Sequence, residues 1–255
     1  MKVGIVGCNG RVGSLVIKEL RSGEWAEQGL VLAGGSSRKA LNEDFFTTQS
    51  EDELFERSDV VIDFTLPEAA ITHAKLAKLH KTALIIGTTG LSEQDEKELK
   101  NTAEHVPVVY AANMSVGVNM LIALVEQAAE RLKEDWDIEI FEAHHKHKVD
   151  APSGTALALG KAAANGRGNN LDNLADFDRH GNIGEREKGK IGFAAARGGD
   201  VVGEHKVMFL GEGESLELSH RATNRSLFAK GALRAAVWIE GKEPDFYSMR
   251  DVLDL

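Results

Sequence analysis

The sequence predicts an α/β protein in which a doubly wound parallel sheet carries an inserted α+β domain with a mixed or antiparallel sheet. Three observations predict it. Over the first 115 residues, short runs that are apolar throughout alternate with helical patterns, as strands covered on both faces require. A glycine-rich turn closes the first run and opens the first helix, as in a Rossmann-like unit. After Val116 the rhythm changes, and residues 191–196, 201–210 and 215–220 form three strand patterns with no helix between them.

Each element has its own signal. Residues 3–7 read as a buried strand, and 11–21 as an amphipathic helix with Val12, Leu15, Val16, Ile17 and Leu20 inward. Residues 30–33, 60–64, 83–87 and 106–111 are the further strands. Pro67 suits the first turn of a helix running to about 79, because its missing N–H has no partner there anyway. Ser92 fits the N-cap of a helix through 103. Residues 120–132 are a long apolar-striped helix, and 137–143 a half-buried strand with Ile138, Ile140 and Ala143 assigned to one face. A helix over 155–164 follows. Residues 165–189 show no period and read as a functional lid or a disordered loop. Residues 226–239 form the last helix, which returns to the first domain. The expected division is 1–115 with 222–255 as the dinucleotide-binding domain, and 116–221 as the substrate-binding and oligomerisation domain.

Composition narrows the function. The 255 residues carry 40 Asp plus Glu against 30 Lys plus Arg, a formal charge of −10. This argues against nucleic acid and against an anionic membrane surface as partners. One cysteine, Cys8, rules out an internal disulfide and predicts a reducing, cytoplasmic setting. No apolar run approaches the ~20 residues of a membrane helix.

The turn Gly7-Cys8-Asn9-Gly10-Arg11-Val12-Gly13 supplies the sharp bend, the close backbone approach and the helix N-terminus that a pyrophosphate uses. Asn9 stands where the commonest fingerprint has glycine, and Cys8 reads as a small filler. A turn with no ligand is the competing reading. At the end of the second strand, Gly34-Gly35-Ser36-Ser37-Arg38-Lys39 contains no carboxylate. A carboxylate there would hold the 2′-hydroxyl of NAD, whereas cations favour the 2′-phosphate of NADP. The expected cofactor is therefore NADPH, with NADH left open. Arg38 is the main contact, and Ser36, Ser37 and Lys39 assist. A solvated basic loop is the bland alternative.

The densest segment runs from Glu142 to Thr155. It holds His144, His145, Lys146, His147 and Lys148, a cation cluster suited to an anionic substrate. Ser153-Gly154-Thr155 then opens a helix whose free N–H groups could hold a carboxylate. A polar surface turn and a metal site compete, the latter without a supporting ligand set, so no metal is expected.

With the 142–155 segment, the motifs at 7–13, Asp63-Phe64-Thr65 with Pro67, Gly87-Thr88-Thr89-Gly90, 113–119, 197–205 and Arg225 with Phe228, Ala229 and Gly231 make the chain resemble the 4-hydroxy-tetrahydrodipicolinate reductase family over nearly its full length. The resemblance implies an oxidoreductase of diaminopimelate and lysine synthesis acting on a small cyclic dicarboxylate. It implies His144 as proton donor or acceptor and Lys148 as proton donor. His145, Lys148, Gly154 and Thr155 would hold substrate carboxylates. Gly87, Thr88, Thr89, Ala111, Ala112, Asn113 and Met114 would line the nicotinamide and ribose. It further implies hinged domains and a homotetramer built through the sheet of the second domain. Family members often carry an acidic residue where Ser37 stands and a basic one where Arg38 stands. Another reductase of a small anion, related to homoserine or aspartate dehydrogenases, and a dinucleotide-sensing regulator without catalysis remain as alternatives.

Overall fold

The computed structural model describes residues 1–255. Its contacts divide the chain into two units, Met1–Val116 with Arg225–Leu255, and Gly117–Asn224. In chain order the first unit contributes β1 (Lys2–Val6), α1 (Gly13–Arg21), β2 (Val31–Ser36), β3 (Thr47–Thr48), α2 (Glu51–Glu56), β4 (Val60–Asp63), α3 (Pro67–His80), β5 (Ala83–Ile86), α4 (Glu93–Ala103) and β6 (Val108–Tyr110). The second unit follows with α5, which starts at the boundary (Val116–Leu132), β7 (Asp137–His144), α6 (Gly154–Gly166), α7 (Leu171–Leu174), β8 (Ala175–Asp176), β9 (Ile191–Arg197), β10 (Gly203–Gly211) and β11 (Glu214–Ala222). The chain then rejoins the first unit as α8 (Ser226–Trp238), β12 (Phe246–Tyr247) and α9 (Met249–Leu253).

The first sheet has the order β3-β2-β1-β4-β5-β6-β12, with every pair parallel. Its central strands are apolar because both faces are covered; all four residues of β4 are buried. Helix α8 lays Ala229, Ala232, Leu233, Ala235 and Ala236 into the same core as Val3, Ile5, Val16 and Ile62. Its small residues permit close approach. A Cβ on Gly231 would lie 1.7 Å from the Met114 carbonyl oxygen, so this helix position accepts glycine only. Pro67 begins α3. Ser92 caps α4 with a reciprocal bond to Asp95, whose carboxylate accepts from the Ser92 N–H.

The second sheet is mixed, in the order β11-β10-β7-β9-β8: β7 pairs parallel with β9 and antiparallel with β10. Its core joins Ile138, Ile140, Val207 and Phe209 to Leu121, Val125, Leu159 and Ala163 of α5 and α6.

Several local expectations are corrected. β2 continues to Ser36 instead of stopping at residue 33, because Gly34 and Gly35 pair with Gly4 and Ile5 of β1. The helix expected from 120 starts at Val116. α2 was not expected; it has six residues, too few for a readable period, and is fixed by its Ser50 cap and by the buried Leu54 and Phe55. On β7 the face shared by Ile138 and Ile140 continues to Glu142, not Ala143, as strict alternation demands. Residues 165–189 contain α7 and β8 and are tied by arginines, most of whose partners lie more than 20 residues away in sequence. Arg167 donates to the carbonyls of Lys133, Trp136 and Gly189, and Arg186 to those of Ile138 and Lys190 and to Asp137.

Candidate active site

Because the first sheet is parallel, the turns that leave β1, β2, β4, β5 and β6 all emerge at one edge. The strand order reverses between β1 and β4, which makes that edge a crevice where open α/β sheets bind ligands. Residues 7–13, 37–39, 64–65, 87–89 and 111–114 lie there.

The glycine turn is tightly folded. Gly7 has φ +63°, and the Gly10 N–H donates to the Gly7 carbonyl at 2.8 Å. A Cβ on Gly13 would come within 2.4 Å of the Gly7 oxygen. Cys8 is buried against Gly35, where a Cβ would lie 2.5 Å from its own, and its N–H donates to the Ser36 carbonyl. Burial pushes its thiol pKa up, as suits a filler. Asn9, Gly10 and Arg11 are exposed and Val12 half-buried.

At the end of β2, Ser36 and Ser37 turn inward, whereas Arg38 and Lys39 are exposed. Of the four residues expected to meet a 2′-phosphate, only the two cations face solvent. After β5, Gly87 lies against the Phe64 ring, Thr88 is buried and Thr89 is exposed. After β6, Ala111 and Asn113 are half-buried and Ala112 is exposed; the Met114 side chain is fully buried in the core, so only its backbone borders this edge. Bare glycines, free cations and a helix N-terminus fit an anionic dinucleotide.

The second unit gathers the histidines through register. Glu142 and His144 are two residues apart on β7 and therefore share a face. His205 of β10 stands opposite Glu142, and Arg197 of β9 beside His144. The Arg197 guanidinium grips Glu142 with two bonds of 2.7 Å and also donates to the Asp150 carbonyl. Glu142 further accepts the Ser153 N–H at 3.0 Å and His144 Nδ1 at 2.6 Å. Burial pushes the Glu142 pKa up, but Arg197, His144 and the Ser153 N–H outweigh it, and the carboxyl lies below its ordinary value. A carboxylate only accepts, so Nδ1 of His144 carries the proton and Nε2 is left to exchange one. Gly203 sits beneath that nitrogen; a Cβ there would lie 3.1 Å from Nε2.

Ser153 caps α6 and is buried, with Oγ accepting from the Ala156 N–H and 3.0 Å from His205 Nε2. The hydroxyl proton is thereby directed to His205. Burial, helped by charge at His144, pushes His205 down to about 4, so it is a neutral neighbour, edge-on to His144 at 5.1 Å between rings. The Ser153 side chain therefore faces inward, while Gly154 is exposed and Thr155 and His145 are half-buried. Lys148 pairs with Asp150 at 2.9 Å and retains 21% side-chain exposure. No three His, Cys, Asp or Glu side chains are arranged to hold a metal ion. Glu142, Arg197, Gly203 and His205 had no assigned role in the sequence reading. The i, i+2 spacing of Glu142 and His144 was their one local signal; the rest depends on strand pairing.

A parallel sheet with a glycine turn at its switch point, followed by a second unit with a mixed sheet, is the architecture of a two-unit dinucleotide-binding protein. The dihydrodipicolinate reductase N-terminal family model matches residues 1–114 and the C-terminal model residues 117–253; the chain belongs to the dihydrodipicolinate reductase family. It is 49% identical, over 100% of its length and 98% of the relative's, to a 4-hydroxy-tetrahydrodipicolinate reductase of Zymomonas mobilis subsp. mobilis. It is 45% identical to one of Thiobacillus denitrificans, covering 100% and 99% of the two chains. Among solved structures, a dipicolinate-bound dihydrodipicolinate reductase from Paenisporosarcina sp. TG-14 shares the fold with TM-score 0.78 at 22% identity, covering 97% of each chain.

Proposed function

We propose that the protein reduces 4-hydroxy-tetrahydrodipicolinate to tetrahydrodipicolinate, with loss of water, in diaminopimelate and lysine biosynthesis, using His144 and Lys148 to handle the proton. When bound, a reduced nicotinamide supplies the hydride. The protein's own part is a proton, a countercharge for a dicarboxylate, and orientation. The observation that carries this reading is the bond from His144 Nδ1 to the buried, arginine-held Glu142, which leaves Nε2 as the exchanging atom. Lys148 provides the ammonium. The N–H groups of Gly154 and Thr155 at the start of α6, with His145, receive the substrate carboxylates; the inward-facing Ser153 acts as the cap that holds this turn.

The nucleotide is bound along the edge formed by Gly7, Cys8, Asn9, Gly10, Arg11 and Val12, with Gly87, Thr88, Thr89 and the 111–114 backbone around the nicotinamide half. NADPH is the preferred cofactor in this reading: Arg38 and Lys39 are exposed and Ser37 replaces a carboxylate. The protein acts in the cytoplasm as a homotetramer. In support of the latter, the sheet face opposite the one packed on α5 and α6 is uncovered, and the exposed Leu210 of β10 and Ala194 of β9 lie on it. Light scattering in solution tests the assembly. The activity is tested by following nucleotide oxidation with substrate generated in place by dihydrodipicolinate synthase. Tight nucleotide binding without turnover would sink the catalytic reading.

A further inference from the structure

Asp63 ends β4, and His73 lies midway along α3; neither side chain has any exposed surface. Asp63 Oδ2 meets His73 Nδ1 at 2.6 Å. Its other oxygen accepts the Thr65 N–H at 2.7 Å, the Thr65 hydroxyl at 2.6 Å and the Thr88 hydroxyl at 3.4 Å. One carboxylate thus braces the turns after both β4 and β5, and the Asp63 carbonyl also accepts the Gly87 N–H. On the far side, His73 Nε2 lies 3.0 Å from Glu51 of α2, and the ring stacks on Phe55.

A carboxylate buried at the end of an apolar strand is strongly unfavourable unless compensated. Here it also lies under an edge meant for a polyanion, which an uncompensated negative charge would repel. The charged groups facing His73 are Asp63 from β4 and Glu51 from α2. Burial pushes the imidazole's pKa down, but these two carboxylates outweigh it and hold it above the ordinary histidine value. Both carboxylates thus favour the protonated ring, the form that neutralises Asp63 from within.

We propose that His73 is a positioning residue for the nucleotide site, acting through Asp63 to hold Thr65 and Thr88 in place and to cancel the charge beneath the bound cofactor. The proposal rests on the reading of residues 87–89 as nucleotide-binding. It has a consequence that packing alone lacks: nucleotide binding and the His73 proton must be coupled, each strengthening the other by the same factor.

The test is NADH affinity between about pH 6 and 9, with NADH chosen because it has no phosphate monoester titrating in that range. For the wild-type protein the Kd should rise about tenfold as pH climbs through the elevated His73 value, the equivalent of one pKa unit of coupling. His73→Gln should bind about tenfold more weakly at the acid end, lose the slope, raise KM for the nucleotide and leave kcat within about twofold. Adding Asp63→Asn to His73→Gln removes the stranded charge and should restore most of the affinity. A pH-independent wild-type Kd, or a His73→Gln slope equal to the wild-type one, overturns the proposal, and the first needs no variant to fold. Gly10→Val separates the two levels. If it abolishes binding while His73→Gln changes nothing, only the positioning role falls. If Gly10→Val also leaves binding intact, the nucleotide-site reading falls and takes this one with it.

Discussion

At the scale of single residues, the proposed site divides its tasks between atoms that would exchange protons and atoms that fix them. His144→Gln and Lys148→Met should each lower kcat/KM by about 10²–10⁴-fold, the usual worth of a positioned acid or base, while the nucleotide Kd stays near the wild-type value. Steady-state kinetics with a parallel binding titration check this; near-normal turnover in both variants would remove the assignment. At the other anionic site, Arg38→Glu should depress efficiency with NADPH by more than tenfold and spare NADH, because only the 2′-phosphate loses a partner. The ratio of the two efficiencies is the measurement, and an unchanged ratio would make Arg38 and Lys39 a solvated loop. Residue types alone indicated these positions: a cation cluster in an acidic chain, and a strand end without a carboxylate. They did not indicate direction. Ser36, Ser37, Ser153 and Met114 were candidates by sequence, yet their side chains are buried, because orientation depends on neighbours that sequence spacing does not supply.

At the scale of elements, the legible parts were those whose signal is local. β5 is wholly apolar, as are β1 after Lys2 and β4 up to Asp63; Pro67 and Ser92 mark helix starts, and 137–143 alternates. The illegible parts owe their order to distant partners: β3 and β12 are two-residue strands on the edges of the first sheet, and the 165–189 segment is tied by Arg167, Arg179 and Arg186. The proposed catalytic face has both characters. His144 was visible, whereas the carboxylate, arginine and second histidine around it meet only when β7, β9 and β10 pair. Strand β10 offers a direct check. Gly203 lies under His144, and a methyl group there would stand 3.1 Å from Nε2, tighter than ordinary contact. Gly203→Ala should therefore displace the imidazole by a few tenths of an ångström and lower kcat about tenfold, since small misplacements of a reacting group are costly. Nucleotide affinity and the circular dichroism spectrum should not change. Full activity in this variant would show that His144 is not held where the proton is exchanged.

At the scale of the whole molecule, the two units carry opposite pH sensitivities. In the Gly117–Asn224 unit, His205 is held down to about 4, and burial also lowers His220. An unfolded histidine titrates near 6.5, so between about pH 6.5 and 4 the unfolded chain binds protons that the folded unit refuses. Stability must then fall with pH across that window, by up to about 3 kcal/mol for His205 alone. Glu142 extends the loss at lower pH: its depressed pKa stabilises the fold above the ordinary carboxylate range and ceases to do so as pH falls through the folded value. In the first unit the sign reverses. His73 is held above its ordinary value, so its contribution is complete below about 6.5 and is lost as pH rises through the folded value. Amide hydrogen exchange, corrected for its intrinsic pH dependence, separates the units by reporting on β7 and β10 against β1 and β4. Acidification from pH 6.5 to 4 should loosen β7 and β10 first, and His205→Gln should flatten that response. Alkaline titration should loosen β1 and β4, and His73→Gln should flatten that one. The reverse pattern, with the second unit failing first in alkali, is incompatible with a lowered His205 and a raised His73. Since total stabilities of domains are only about 5–15 kcal/mol, opposite shifts of buried histidines in the two units narrow the stable pH range from both sides.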